Sequence, residues 1–254
     1  MTVRGTRVFV FVPARVTSSR LPAKALRPLA GKPALRHLLE RLKLSRMPAG
    51  VVLCTTHDAA DDPLVDLAKE TGVHWYRGSV DDLLDRYWQA ARSFGVDVIV
   101  NVDGDDIFVD PEQVDEIISH YERTGADFIT YSGLPFGAAP IVVSSSALET
   151  VCRFKRGTNT ATGWARYFER PDLFHIERIE VRDPRLRHPG IRLTLDYPED
   201  LQMFDAIYSA LYRSSPLRLR DVLGFLEQHP EIVAINANLT DQYWSHFEAQ
   251  CQDL

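Results

Sequence analysis

The sequence has few cysteines, no long apolar segment and no excess of positive charge. Its three cysteines, Cys54, Cys152 and Cys251, are far apart and lack CxxC spacing. This argues against a disulfide framework and a zinc site, and it suits a reducing compartment. The longest apolar run near the start, Val8 to Val12, is too short for a membrane span or a signal-peptide core. We therefore predict a cytoplasmic protein without a membrane partner.

The charge balance gives no general attraction to nucleic acid. With 29 Lys and Arg against 35 Asp and Glu, the formal net charge is -6. Any anionic ligand must therefore be held by a local cluster of basic residues, and we predict no nucleic-acid partner. The composition, 45% hydrophobic and 25% charged over 254 residues, is typical of a globular protein. Because nothing resembles a linker, we predict one domain over residues 1–254.

Short runs rich in Val and Ile alternate with helical patterns. The runs predict parallel strands buried on both faces, and the alternation predicts a βαβ sheet. The strands are expected at Val8 to Val12, Val51 to Cys54, Val96 to Val102 and Phe128 to Tyr131. The helices are expected from Pro33, over Asp62 to Glu70, after Asp81, after Asp110, over Pro198 to Tyr212 and over Leu217 to Gln228. We interpret the irregular stretch from about 135 to 195 as an acceptor-side insertion, and about 239 to 254 as an exposed helical tail.

A basic loop follows the first strand directly. Between Pro13 and Lys24 it carries Arg15, Arg20 and Lys24 among small hydroxyl side chains. In an open parallel sheet, ligands bind at the carboxyl ends of the strands, and Arg and Lys bind phosphate oxygens well. The loop therefore predicts a triphosphate site, although solvated surface charges remain an alternative. Neither GxxxxGK[ST] nor GxGxxG follows the strand, so a P-loop or dinucleotide site is not supported.

An acidic turn follows the strand that ends near Val102. It places Asp103, Asp105 and Asp106 around Gly104, and a further carboxylate, Asp196, ends a later β-rich run. Mg²⁺ prefers hard oxygen ligands and is commonly held by one or two carboxylates plus substrate phosphates. Asp105 and Asp196 are therefore candidate metal ligands. Simple turn chemistry for Asp105 and helix capping for Asp196 remain alternatives.

Seven segments in order resemble one family of enzymes. They read PARVTSSRLPAKAL, AGKPALRHLLERL, VVLCTT, YRGSVDDLLDRYWQAA, NVDGDDIFVDPE, LTLDYPEDL and HPEIVAIN. Together they cover roughly residues 7–236 and resemble the cytidylyltransferases that make CMP-activated acidic sugars, such as 3-deoxy-manno-octulosonate cytidylyltransferase. The resemblance is strongest to the branch that includes spore coat polysaccharide biosynthesis protein F.

The resemblance implies an α/β, Rossmann-like nucleotide-diphosphosugar transferase fold. Its mostly parallel central sheet would be flanked by helices and would carry an inserted acceptor and dimerisation region. The resemblance also implies CTP as donor, Mg²⁺ as cofactor, a homodimer, and transfer of CMP to an anionic acceptor with release of pyrophosphate.

Carried over by position, the resemblance implies roles for individual residues. Arg15, Arg20 and Lys24 would stabilise charge on the leaving pyrophosphate, and Asp105 and Asp196 would bind the metal. The nucleotide-binding residues would be Ala14, Arg15, Ser18, Arg20, Lys24, Thr55, Arg77, Ser79, Asp81 and Asp103.

The sequence departs from the family where the acceptor would bind. Thr17 and Ala23 stand where the family loop usually has glycines, residues 137–141 lack the carboxylates of the similar branch, and residues 159–164 lack its Arg-Glu-His. The loss of carboxylates near several cations favours an anionic acceptor, either an acidic sugar or a phosphonate. The predicted acceptor-binding residues are Arg153, Arg156, Asn159 and Thr160, with solvated surface charges as the alternative.

Two other functions are compatible with parts of this sequence. Asp103-Gly104-Asp105 matches the Asp-x-Asp metal motif of glycosyltransferases of related fold, which use a nucleotide-sugar donor. A catalytically silent nucleotide-binding protein is the other alternative. The basic loop favours a nucleoside triphosphate over both.

Overall fold

The computed structural model describes residues 5–18 and 20–250, with side chains through Glu248. The predictions made for Cys251 and for the last residues of the helical tail fall outside the described residues. Cys54 and Cys152 are both free, as expected for a reduced protein. Within the described ranges, no helix combines the length and apolar character needed to cross a membrane.

The strands of the described chain form one large sheet and one short hairpin. They are β1 Val8–Pro13, β2 Pro28–Leu29, β3 Lys32–Pro33, β4 Gly50–Thr56, β5 His74–Gly78, β6 Val98–Asn101, β7 Phe128–Ser132, β8 Ile141–Ser144 and β9 Ile176–Glu180. The large sheet has the order β5-β4-β1-β6-β8-β7-β9, and β2 pairs with β3. β1 pairs in parallel with both β4 and β6, whereas β8 runs antiparallel to β6 and β7. This confirms the predicted α/β fold with a mostly parallel sheet.

The helices cover both faces of this sheet. They are α1 Ala34–Leu42, α2 Asp62–Thr71, α3 Leu83–Phe94, α4 Pro111–Thr124, α5 Ser145–Phe154, α6 Pro198–Leu211, α7 Leu219–Gln228, α8 Pro230–Val233 and α9 Leu239–Gln250. The helix ends predicted from the sequence agree with the observed ones where a capping residue ends or begins the helix. Gly72 ends α2 with a left-handed φ of 67°, and Asp110 caps α4 by accepting from Glu112 N–H.

The sheet separates two apolar cores, and the alternation along β1 shows how. Val8, Val10 and Val12 pack on one face with α1, α4 and α6, while Phe9 and Phe11 pack on the other with α3 and α5. Successive side chains in a strand point to opposite faces, so a strand covered on both sides is apolar throughout. The prediction of strands buried on both faces is therefore confirmed.

The segment from 135 to 195, predicted to be an insertion over the ligand edge, contributes to the sheet itself. It supplies the antiparallel strand β8 between β6 and β7, and the edge strand β9. Parts of it also line the cleft at the ligand edge, among them Phe136, Thr162, Glu169 and the first residues of the short 3₁₀ helix Trp164–Phe168. The tail is helical as predicted but is not fully exposed, because Tyr243 packs against Phe136 with ring centroids 5.0 Å apart.

Candidate active site

The candidate site forms where β1 and β6 end side by side. These strands are parallel neighbours, so the basic loop and the acidic turn leave the sheet at the same edge. The Gly104 N–H donates to the Pro13 carbonyl at 3.1 Å, and a Cβ on Gly104 would lie 2.7 Å from that oxygen. Only glycine permits this close approach, which holds the acidic turn against the basic loop.

Lys24 lies between the two carboxylates predicted as metal ligands. Its ammonium donates to Asp105 Oδ2 and, at 2.7 Å, to Asp196 Oδ1. The Leu195 N–H donates to the Asp105 carbonyl at 3.0 Å, which fixes the segment before Asp196 against the acidic turn. Three residues that are far apart in the sequence therefore meet at one point.

The charges at this point shift one another's pKa. Burial alone would lower the pKa of Lys24, but Asp105 and Asp196 outweigh burial and raise it. Burial would raise the pKa of Asp196, yet Lys24 and Arg20 lower it to about 2. Burial together with the Asp105 charge raises the pKa of Asp103 to about 6. The site thus has a fixed cationic side and crowded carboxylates.

A buried network fixes Asp196. Asp200 is fully buried and accepts hydrogen bonds from Arg192 Nε, from the N–H groups of Asp196 and Tyr197, and from Asn236 Nδ2, at 2.8 to 2.9 Å. Asp200 also caps α6. Pro198 is the first residue of this helix, and the Asp200 carboxylate accepts from the N–H of Tyr197, the residue just before it. The carboxylate of Asp196 is thereby free to face Lys24, which excludes the simple capping role left open by the sequence.

A cleft of about 600 Å³ opens from this point. Its volume falls within the roughly 300 to 1,000 Å³ of small-molecule sites. One wall is the basic loop, with Arg15 exposed and Arg20 paired to Asp196 at 2.7 Å. The opposite wall is the 3₁₀ helix Trp164–Phe168 together with α9.

The sequence profile of the cytidylyltransferase family matches residues 9–230. This range spans the basic loop, the acidic turn and the Asp196 network. The chain belongs to the cytidylyltransferase family. As a member, it is a CTP-dependent nucleotidyltransferase, and the alternative of a glycosyltransferase loses its support.

Similar proteins agree with this assignment. The enzyme is 27% identical to spore coat polysaccharide biosynthesis protein SpsF of Bacillus subtilis (strain 168), covering 88% of this chain and 95% of that one. It is 28% identical to 3-deoxy-manno-octulosonate cytidylyltransferase of Chloroherpeton thalassium, covering 73% and 72%. Among solved structures, a cytidylyltransferase from Leptospira borgpetersenii superposes with a TM-score of 0.83 at 27% identity, covering 90% and 97%.

The structure brings most of the predicted nucleotide-binding residues of this cytidylyltransferase to the cleft. Those that line it are Ala14, Arg15, Ser18, Arg20, Lys24 and Asp103, along with both predicted metal ligands, Asp105 and Asp196. All come from the basic loop, the acidic turn and the segment before α6. The positions predicted from the ends of β1 and β6 therefore converge.

The four residues predicted to shape the nucleoside pocket do not line the cleft. Thr55 is buried on β4, Arg77 donates to the Thr56 and Asp58 carbonyls, Ser79 accepts from Asp82 N–H, and the Asp81 carbonyl accepts from Thr160 N–H. The bonds of Arg77, Ser79 and Asp81 are local ones near the ends of β4 and β5, whereas the buried Thr55 hydroxyl has no hydrogen-bond partner among the described residues. On this side the cleft is lined instead by Leu83 and Arg86.

The predicted acceptor residues also lie elsewhere. Arg153 is exposed and pairs with Glu149 on the surface of α5, and Arg156 lines a neighbouring hollow of about 340 Å³ that shares Arg166 with the cleft. The Thr160 hydroxyl is buried and bonded to Asp82, and Asn159 is exposed without lining the cleft. None of these four residues lines the cleft, so their positions do not favour acceptor binding there.

Several cleft residues have no counterpart in the sequence prediction. Arg86 reaches the cleft because its Nη1 donates to the Cys54 carbonyl at 3.1 Å at the end of β4. Others belong to the far wall, among them Phe136, Trp164, Arg166, Glu169, Tyr243, Trp244 and Phe247. The spacing of the aromatic residues in α9 was the one available signal, since positions 243 and 247 lie on one helix face.

Proposed function

We propose that this enzyme transfers CMP from CTP to a small anionic acceptor, an acidic sugar or a phosphonate, and releases pyrophosphate. The observation that carries the proposal is the position of Lys24 between Asp105 and Asp196 at the base of the cleft. A cation beside metal-type carboxylates is the kind of site that binds the phosphates of a nucleotide, and this supports the proposal.

The residues of the basic loop act by position and charge. The acceptor oxygen attacks the α-phosphorus in line, a new P–O bond forms, and the bond to the β-phosphate oxygen breaks. Arg15, Arg20 and Lys24 bind the phosphate oxygens and stabilise the charge that grows on the leaving pyrophosphate. Arg15 forms no ion pair within the described ranges, so its guanidinium is available for this role. No nucleophilic side chain takes part.

The carboxylates fit a magnesium ion. Asp103, Asp105, Asp106 and Asp196 all line one part of the cleft, and burial together with its acidic neighbours raises the pKa of Asp106 well above its usual value. Such crowding favours a divalent cation with hard oxygen ligands. Asp105 and Asp196 would hold it. When bound, it would neutralise and polarise the α-phosphate.

The donor is tested by pyrophosphate release and by binding. We expect CTP with Mg²⁺ to raise the melting temperature of the protein more than UTP, ATP or a nucleotide-sugar does. Pyrophosphate release should require CTP and an anionic acceptor. A shift with a nucleotide-sugar and none with CTP would overturn the proposal.

The metal assignment is tested with Asp105→Asn. This variant keeps the shape but removes the charge, and we expect turnover to fall at least 100-fold with little change in the free energy of unfolding. Asp66→Asn, on the exposed surface of α2, is the matched control and should keep full activity. Near-normal activity of Asp105→Asn across a Mg²⁺ titration would remove Asp105 from the metal site.

The basic loop is tested with Lys24→Ala. We expect a loss of kcat/KM for CTP of about 100-fold, because a charge-assisted contact to the triphosphate is worth about 1.5–3 kcal/mol in binding and more in the transition state. Arg27→Ala is the matched control, since Arg27 is exposed just after the loop and does not line the cleft. Unchanged kinetics for CTP in the Lys24 variant would exclude the triphosphate assignment.

The acceptor class and the assembly need separate measurements. The resemblance to acidic-sugar enzymes supports a sugar acid as acceptor. The loss of carboxylates in residues 137–141 supports an anionic acceptor of either kind, a sugar acid or a phosphonate. Screening CTP-dependent pyrophosphate release over 3-deoxy-manno-octulosonate, related sugar acids and alkylphosphonates decides between them. A homodimer is proposed on the resemblance alone, and sedimentation equilibrium that gave a monomer mass would refute it.

A further inference from the structure

The wall of the cleft opposite the basic loop carries a cation, Arg166. Arg166, on the 3₁₀ helix Trp164–Phe168, lines the cleft, and no ion pair within residues 5–18 and 20–250 involves its guanidinium. Glu169 lines the same part of the cleft, but no ion pair joins it to Arg166 in that part of the chain. In a chain of formal charge -6, an unpaired arginine inside a cleft is suited to an anionic ligand.

Aromatic side chains of α9 surround this cation. The Arg166 guanidinium carbon lies 4.9 Å from the centroid of the Phe247 ring. Phe247 lies 5.3 Å from Trp244, centroid to centroid, and Trp244 lies 5.6 Å from Phe136. Trp244 is 43% exposed although it lines the cleft. Phe247 thus connects an exposed tryptophan with a guanidinium, and together they offer an apolar face and an anion-binding group to one ligand.

The aromatic wall also connects the two halves of the cleft. Tyr243 lies 6.0 Å from Phe247, centroid to centroid, and the guanidinium carbon of Arg20 lies 5.8 Å from Tyr243. Arg20 pairs with Asp196 at the phosphate side. Two rings of α9, Tyr243 and Phe247, therefore lie between Arg20 on the phosphate side and Arg166 on the opposite wall.

We propose that Arg166 and the aromatic face of α9 form the acceptor subsite of this enzyme. Arg166 binds the carboxylate or phosphonate of a small acid, and Trp244 and Phe247 pack against the carbon body of that acid. This inference rests on the proposed function, since it takes the basic loop as the nucleotide side. It assigns acceptor binding to Arg166 in place of the predicted Arg153 and Arg156.

The test measures acceptor binding without turnover. Protein saturated with α,β-methylene CTP and Mg²⁺ is titrated calorimetrically with the acid that supports the fastest pyrophosphate release. We expect Arg166→Gln to raise the Kd of that acid by about 10- to 100-fold, the change expected from losing one charge-assisted contact. Arg166→Lys should fall between it and the parent protein. The Kd of the nucleotide should not change in either variant.

A second variant tests the aromatic face. Trp244→Ala should raise the Kd of the acid about three- to tenfold, in line with loss of one aromatic contact. Since Trp244 is largely exposed, the variant should keep its melting temperature. Trp75→Ala is the matched control, because Trp75 is 42% exposed on β5 and lies outside the cleft. Arg170→Gln is the control for Arg166, because Arg170 pairs with Asp172 on the surface.

The outcomes separate this inference from the proposed function. If nucleotide binds but the Kd of the acid is unchanged in both Arg166→Gln and Trp244→Ala, the subsite is wrong and the proposed function stands. If Arg156→Gln weakened binding of the acid and Arg166→Gln did not, the acceptor would bind at the residues predicted from the sequence, and the inference would be overturned. If the parent protein does not bind CTP, both proposals fail together.

Discussion

Removing the Asp200 carboxylate tests how the fold supports the site. Asp200 lies fully buried in α6 and forms a buried ion pair with Arg192, whose Nη2 reaches it at 3.1 Å. In Asp200→Ala the guanidinium would keep one carboxylate, Asp196, at 3.4 Å. Its Nη1 already lacks a partner among the described residues. Besides Asp196, the guanidinium would face the rings of Phe136, Tyr197 and Tyr243, whose centroids lie 5.3 to 5.5 Å from its carbon, and such cation–π contacts replace only part of a lost ion pair.

The magnitude follows from this geometry. Removing one partner of a buried ion pair costs about 3–5 kcal/mol, and the remaining contact to Asp196 places Asp200→Ala near the lower end. For a chain of this size, 1 kcal/mol shifts the melting temperature by roughly 2–4 °C, so we expect a drop of about 6–12 °C. Urea unfolding at constant m-value gives the free energy directly. Turnover should fall as well, because Asp196 and Tyr197 lose the acceptor for their N–H groups.

Two comparisons make the result decisive. Asp205→Ala, on the exposed side of the same helix, should change the free energy of unfolding by less than about 0.5 kcal/mol. Arg192→Leu combined with Asp200→Leu removes both charges and should recover part of the loss, since an apolar pair tolerates burial. A loss under about 1 kcal/mol in Asp200→Ala, or no recovery in the double variant, would refute the account of a buried ion pair.

Three further predictions concern the loop, the turn and acid stability. Ala23 has a left-handed φ of 55°, so Ala23→Gly should raise the free energy of unfolding by up to about 1 kcal/mol. Ala206→Gly, within α6, should lower it by about as much. If urea unfolding showed the same loss of stability in both variants, this prediction would be wrong. Gly104→Ala should cost about 1–3 kcal/mol and reduce turnover, because its Cβ would lie 2.7 Å from a backbone oxygen; normal kinetics would exclude the close approach as a requirement. Burial lowers the pKa of His37, so the unfolded chain takes up a proton first as the pH falls below about 6.5. The parent protein should then lose more stability than His37→Gln between pH 7.5 and 5.5, and an equal decline in urea midpoint would refute this.

The sequence by itself determined the sheet and the cationic half of the site. Continuous apolar runs such as Val8 to Val12 can be stable only between two covered faces, so they indicated buried parallel strands. The ends of such strands meet at one edge, which was enough to predict that Arg20 and Lys24 would face Asp105. Turn and cap residues such as Gly72 also allowed helix ends to be predicted, because they act on the backbone next to them.

Tertiary structure alone decided the wall of the cleft that faces the basic loop. Whether the side chains of Arg77 and Arg153 face the cleft depends on the direction in which β5 and α5 present them, and local sequence does not encode that direction. The antiparallel strand β8 was hidden in a stretch without clear periodicity, and its place in the sheet depends on pairing with β6, which lies far away in sequence. The aromatic residues of α9 gained their place only when the helix folded back on Phe136. Long-range packing, which no local pattern reports, set the wall that faces the basic loop.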